Sequence, residues 1–253
     1  MIDYQNLIML SRILLNQTFL LFINIDKKEG NKYTYKIILL YIIYMSQVNY
    51  IFRVILVGDS GVGKTCIIDR YCNSRFQSSH DMTIGVDFGC KLVPIDVDGK
   101  TVNIKCHLWD TAGQESYRSI TRSYYRNSTI AFICFDTTSY ESFNHCKAWI
   151  EDIKKECPDC SHIVLVGTKI DLECYRIVQR EDAERNAQEN GFYYGEVSAK
   201  KDININEIFD KSIRDAYIKY KNGEKMPGIT DFGSAPVNLT DKNKNWSNCC
   251  GIM

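Results

Sequence analysis

The sequence predicts an α/β protein: a six-stranded, mostly parallel sheet with helices on both faces. Three observations carry that expectation. Short apolar runs alternate with stretches of helical periodicity; one pair of runs is joined by a tight-turn dipeptide; and a glycine-rich loop links the first run to a helical pattern. Parallel neighbours need a crossover each time, so alternating strands and helices imply that both sheet faces are covered.

The strand candidates are Phe52–Val57, Val86–Val97, Thr101–Trp109, Ile130–Phe135, Ile163–Val166 and Phe192–Val197. Asp98-Gly99 separates the second from the third, which marks a hairpin and hence the antiparallel pair. Phe143, Cys146, Trp149, Ile150 and Ile153 keep one-face helical spacing, as do Ile205, Ile208, Phe209, Ile213, Ala216 and Tyr217. These stripes read as core contacts. Beyond Lys221 the periodicity ends, and Asn222 to Asn248 is rich in Gly, Asn, Asp, Lys and Pro, the composition of a flexible linker.

Bulk composition excludes some functions. With 31 basic and 31 acidic residues the 253-residue chain has no net charge, so a general attraction to nucleic acid is not expected. Hydrophobic content of 45% and charged content of 25% are those of a globular protein with a substantial core. Among eleven cysteines, Cys157-Pro158-Asp159-Cys160 is a C-x-x-C pair near His162, but no second pair stands at zinc-ligand spacing. Cys66, Cys90, Cys106 and Cys134 sit in apolar or alternating runs, where a reduced thiol packs as a small hydrophobe. A reducing compartment is expected.

The first 44 residues are anomalous. Leu7 to Ile25 is apolar but contains Arg12, Asn16 and Gln17; the arginine alone costs ~2.5–3.5 kcal/mol at the centre of a span. Ile37 to Met45 is too short to cross a bilayer. These residues contain no Ala, Val, Pro or Trp, and 24 of them are Ile, Asn, Lys, Tyr or Phe, which A/T-rich codons encode. Residues 1–44 therefore read as a spurious or disordered extension, with Met45 as the natural start; a membrane anchor is the rival reading.

Gly58-Asp59-Ser60-Gly61-Val62-Gly63-Lys64-Thr65 fits the phosphate-binding loop G-x-x-x-x-G-K-[ST] between a strand and a helix. Backbone N–H groups from Ser60, Gly61, Val62, Gly63, Lys64, Thr65 and Cys66 would cradle phosphate oxygens at a helix N-terminus, where the dipole favours negative charge. Lys64 supplies a cation to the β and γ phosphates, and the Thr65 hydroxyl is a candidate Mg²⁺ ligand. Three further motifs each follow a strand. In Asp110-Thr111-Ala112-Gly113-Gln114-Glu115 the Asp110 carboxylate suits Mg²⁺, the Gly113 N–H can sense a γ-phosphate, and Gln114 can orient attacking water. In Thr168-Lys169-Ile170-Asp171 the Asp171 carboxylate can accept from guanine N1–H and the 2-amino group, a donor pair adenine lacks. In Ser198-Ala199-Lys200 the Ala199 N–H suits guanine O6. Each is weak alone; the ordered set points to GTP.

These residues carry a resemblance. From about Asn49 to Lys221 the chain resembles the Ras superfamily of small GTPases, and within it the Rab family. His80-Asp81-Met82-Thr83-Ile84-Gly85-Val86-Asp87-Phe88-Gly89, Arg118-Ser119-Ile120-Thr121-Arg122-Ser123-Tyr124-Tyr125-Arg126 and Ser142-Phe143-Asn144-His145 are most similar to the subgroup containing Rab-two, with Rab-four and Rab-fourteen next. The resemblance implies a small G-domain of the P-loop NTPase class over residues 45–221, with switch regions at 75–89 and 110–126. It implies that Thr83 coordinates Mg²⁺ and contacts the γ-phosphate, that Phe76 stacks near the guanine, and that Phe88, Trp109 and Tyr124 form a triad read by effectors. Thr168 departs from the usual Asn, although the related Rho family also has Thr there, so guanine specificity is expected to survive. Ser60 stands where Ras has Gly. No motif-matched residue is a built-in arginine finger; slow hydrolysis is expected, with ~10³–10⁵-fold acceleration when a GTPase-activating protein supplies the charge.

Cys249-Cys250-Gly251-Ile252-Met253 resembles a Rab double-prenylation signal, and Cys250 also begins a C-a-a-X box. Two lipids give a stable anchor where one is marginal. The tail, residues 222–253, is thus expected to tether the protein to the cytosolic face of Golgi, endoplasmic-reticulum or endosomal membranes. The implied partners are a guanine nucleotide exchange factor, a GTPase-activating protein, a GDP-dissociation inhibitor or escort protein, and effectors, with no nucleic acid. Two rivals stand beside this: a P-loop ATPase or nucleoside kinase, opposed by Asp171 and the Ser198 turn, and a non-hydrolysing scaffold, opposed by Gln114.

Overall fold

The protein is described from a computed structural model covering residues 48–77, 82–159 and 162–232. The extension at 1–44, Met45, His80, Asp81, Cys160 and the cysteines Cys249 and Cys250 lie outside the described residues.

In chain order the elements are β1 (Tyr50–Val57), α1 (Lys64–Asn73), β2 (Val86–Val97), β3 (Lys100–Thr111), α2 (Arg118–Tyr125), β4 (Ile130–Asp136), α3 (Tyr140–Glu156), β5 (His162–Thr168), α4 (Arg180–Glu189), β6 (Tyr193–Glu196), α5 (Ile205–Lys221) and β7 (Thr230–Asp231). Strand order across the sheet is β2-β3-β1-β4-β5-β6, parallel throughout except for the β2–β3 hairpin. All six expected strands are present: β1, β3, β4 and β5 run one to three residues beyond the apolar runs, β2 has the expected bounds, and β6 is one residue shorter at each end. Polar residues at strand ends, such as Asp136 and Thr168, still pair across the sheet and escape a hydrophobicity reading.

Alternation along β1 splits the core. Tyr50, Phe52, Val54 and Leu56 pack with Ile67 and Tyr71 of α1 and with Ile208, Phe209, Ile213 and Tyr217 of α5. Ile55 and Val57 point the other way, towards Trp149, Ile150 and Ile153 of α3 and Ala183 and Ala187 of α4. Two helical layers therefore sandwich the sheet. In the sheet β1 is flanked by β3 on one side and β4 on the other, the point where the strand order reverses and where α/β sheets take their ligands beyond the carboxyl ends of the strands.

The expected boundary at Lys221 is corrected. After α5 the chain packs across the amino ends of the strands as far as Phe232, and contributes a seventh strand. Met226 is buried in the α1–α5 core. The Pro227 carbonyl accepts from Thr129 Oγ1 at 2.9 Å, β7 pairs antiparallel with Tyr50 and Ile51, and Phe232 N–H donates to the Asn49 carbonyl at 3.0 Å. A two-residue strand has no periodicity to read, and of the residues that suggested a linker Asn222-Gly223 and Pro227-Gly228 turn this strap while Asp231 lies in β7 itself. No helix among the described residues is long and apolar enough to cross a membrane.

Candidate nucleotide-binding site

The loop from Gly58 to Thr65 closes over the carboxyl end of β1 and starts α1. The first N–H groups of a helix have no intrahelical partner, so this end offers donors to an anion. Lys64 is only 5% exposed. Its Nζ donates to the carbonyls of Gly58 at 2.7 Å and Asp59 at 2.8 Å, which folds the side chain back along the loop. Burial pulls its pKa down, opposed by Asp110.

A cleft of about 400 Å³ opens here. Its walls include Ser60, Gly61, Val62, Gly63, Lys64, Thr65 and Cys66 from the loop and α1, with Phe76, Thr83 and Gly113 from the switch regions. Thr168, Lys169, Asp171, Ala199 and Lys200 close the far side. Four motifs separated by up to 140 positions thus converge because each follows a strand of one sheet. Ser198, Asp110 and Gln114 are not on the wall. Ser198 is buried and donates from Oγ to Asp171 Oδ1 at 2.6 Å, so it aims the carboxylate. Arg70 of α1 steadies the same turn by donating to the Ala199 carbonyl at 2.8 Å. Lys169 bridges to Asp136 at 2.7 Å.

Asp110 sits beneath the loop. Its Oδ2 accepts from Thr65 Oγ1 at 2.5 Å and from Thr83 Oγ1 at 3.4 Å, and the two hydroxyls lie 2.9 Å apart. Its Oδ1 is buried and has no hydrogen-bond partner among the described residues. Burial raises the Asp110 pKa, offset by the Thr65 hydroxyl and Lys64. A desolvated carboxylate with an unpaired oxygen beside two hydroxyls is a donor set suited to a hard divalent cation. The three residues expected to hold Mg²⁺ therefore fit it.

Thr168 answers the departure noted in the sequence. It is buried, and its Oγ1 lies 2.6 Å from the Val62 carbonyl and 2.9 Å from that of Phe135. The residue ties the phosphate loop to β4 at the cleft wall, and one hydroxyl proton serves two acceptors.

A model of the Ras family matches residues 53–218, about two thirds of the sequence. The chain belongs to the Ras family. It is a small GTPase that hydrolyses GTP and switches between GTP and GDP states, and proteins of this family bind guanine nucleotide with Mg²⁺ and work with exchange factors, activating proteins and effectors. In this GTPase the cleft also takes Ile67, Gln77, Met82 and Leu172, which the motifs did not single out. These are neighbours of motif residues and carry no signal of their own. Gln114 lies in the second switch region, its Nε2 3.0 Å from the Met82 sulfur in the first. The two regions are also joined through Ala112 N–H, which donates to the Gly85 carbonyl at 2.8 Å.

Phe88, Trp109 and Tyr124 come together from β2, β3 and α2. Trp109 lies 5.0 Å from each of the other two ring centres. All three are half-buried. Arg53 and His107 border them: the Arg53 guanidinium is 5.4 Å from the Trp109 ring and His107 stacks edgewise on Phe88 at 5.3 Å. Both were invisible as neighbours until strand register was known.

Proposed function

We propose that this GTPase is of the Rab type, recruiting effectors to endomembranes in vesicle trafficking. The observation that carries the reading is the contiguous Phe88–Trp109–Tyr124 cluster, built from both switch flanks, so that nucleotide state and a partner's contact surface are one object. Met82 and Ile84 add exposed apolar area in the first switch, 67% and 80% exposed. Scattered apolar exposure is ordinary, but here it borders the cleft.

In the chemistry we infer, Thr65, Thr83 and Asp110 hold Mg²⁺, which neutralises charge on the β and γ phosphates. Lys64 and the loop N–H groups hold the phosphates, and the Gly113 N–H faces the γ-phosphate. Gln114 orients the water that attacks the γ-phosphorus. Asp171, aimed by Ser198, with Lys169, Ala199, Lys200 and Phe76, holds the guanine. Replacing Gln114 with Leu is expected to slow single-turnover GTP cleavage; negligible, equal rates in both proteins would favour a scaffold.

The membrane role is tested by intact mass of the native protein together with vesicle binding. Two isoprenoids on Cys249 and Cys250, an N-terminus at Met45 and lipid-dependent sedimentation are expected. Unmodified terminal cysteines would refute the anchor and with it this trafficking role.

A further inference from the structure

Asp59 occupies a variable position of the phosphate-loop motif and does not line the cleft, yet its peptide is the point on which two parts of the site rest. Its carboxylate accepts from Trp149 Nε1 at 2.7 Å through Oδ1, and Oδ2 lies 2.7 Å from His145 Nδ1. Both partners stand one turn apart on α3, so the carboxylate is held from one helix face. Trp149 is 3% exposed and packed in the core beneath the sheet, which makes it a rigid post. The Asp59 carbonyl accepts from Lys64 Nζ at 2.8 Å. Gly113 lies directly on the Asp59–Ser60 peptide: a Cβ on Gly113 would come within 2.3 Å of the Asp59 carbonyl carbon and the Ser60 nitrogen.

We propose that Asp59 is a positioning residue for GTP hydrolysis, fixing the 59–60 peptide to α3 so that Lys64 and Gly113 are both held in register. The proposal rests on the roles given above to Lys64 and Gly113. Without the clamp, the 59–60 peptide is free to rotate, the Lys64 ammonium loses a fixed acceptor, and the second switch loses the surface against which its glycine seats. Small displacements matter at such a site, since ~1 Å of misplacement costs on the order of 10²-fold in rate. The motif cannot reveal this, because the pattern allows any residue at position 59 and the partners lie 86 and 90 positions away.

The test uses the full chain with Mg²⁺ and measures single-turnover GTP cleavage and GDP release, with melting temperature in parallel. Asp59→Ala is expected to slow cleavage about tenfold or more and to speed GDP release, part of the ~10²-fold available. Asp59→Asn keeps an oxygen for the Trp149 indole and should recover most of the loss. Trp149→Phe combined with Asp59→Ala should cost no more than Asp59→Ala alone, because both break one linkage. His145→Ala, which removes a half-exposed ring outside the core, should show about a threefold loss, a fraction of the same effect. Folded variants whose cleavage and GDP release stay within about twofold of the parent, even with a lowered melting temperature, would overturn the proposal. Lys64→Ala separates the two levels: unchanged cleavage there sinks the assignment of the site itself, whereas lost cleavage there with unaffected Asp59 and His145 variants sinks only the clamp.

Discussion

The two ends of the sheet obey different rules. At the carboxyl ends of the strands, four loops meet around the cleft, and polar groups are left ready for a ligand: the Lys64 ammonium is desolvated and Asp110 Oδ1 has no hydrogen-bond partner among the described residues. At the amino ends, the chain beyond α5 packs down and its groups are satisfied internally, Thr129 by the Pro227 carbonyl and the Asn49 carbonyl by Phe232 N–H. One end keeps electrostatic strain that a nucleotide and its metal relieve, and the other spends its contacts on stability. The contrast teaches that the cleft keeps desolvated charges which a ligand can meet, whereas the strap is held by backbone and hydroxyl hydrogen bonds within the chain.

The comparison breaks most decisively at Lys64. Replacing it with Ala is expected to weaken GTP binding by ~2–5 kcal/mol, the cost of deleting one partner of a buried charged pair, while relieving desolvation in the nucleotide-free protein. Binding and melting of the same preparation should move in opposite directions.

Gly228 is the counterpart at the amino end. Its φ is +72°, and a Cβ would lie 1.7 Å from the Asn127 carbonyl oxygen. Gly228→Ala should therefore cost ~3 kcal/mol in denaturant unfolding, or release the strap, with nucleotide affinity unchanged. Ending the chain at Lys221 should also destabilise it, since the burial of Met226 is worth ~1.5–3 kcal/mol.

A smaller effect is expected at Asp110. Its folded pKa is raised by burial, so its charged form opposes folding: that group's contribution is full below the ordinary carboxylate range and is lost as pH rises through the folded value. Asp110→Asn should raise the melting temperature of metal-free protein by a few degrees, at ~1 kcal/mol, and abolish stabilisation by Mg²⁺-nucleotide.

Confined to acid conditions is the response of His162, at the amino end of β5. Burial, with Lys219 nearby, pushes its pKa from the usual 6.5 to about 4. The unfolded chain takes up the proton first, so stability is full above about 6.5 and falls as pH drops towards about 4. His107, lowered to about 4 by burial and by Lys105 and Arg53, adds to the slope from the triad side. His162→Gln should flatten the dependence of the denaturant midpoint on pH over that window.

What could be read from sequence followed this division. The phosphate loop, Asp110, Asp171 and the Ser198 turn were legible because each needs particular residue types at fixed spacing, and the strands were legible through burial. Asp59, Arg53 and the strap were not. Asp59 acts through residues on a distant helix, Arg53 through register against Trp109, and Thr230–Asp231 is too short to show a period. That Ser198 stands behind the wall and aims Asp171 was not legible, since a motif gives proximity but not orientation.

The most direct test of the account is titration calorimetry of the Mg²⁺-loaded full chain with GTP and with ATP, repeated on Asp171→Ala. Recognition by a carboxylate that pairs with two guanine donors predicts a preference for GTP on the order of 10⁴-fold, collapsing in the variant. Equal affinity of the parent protein for the two nucleotides, or an undiminished preference in Asp171→Ala, would contradict it.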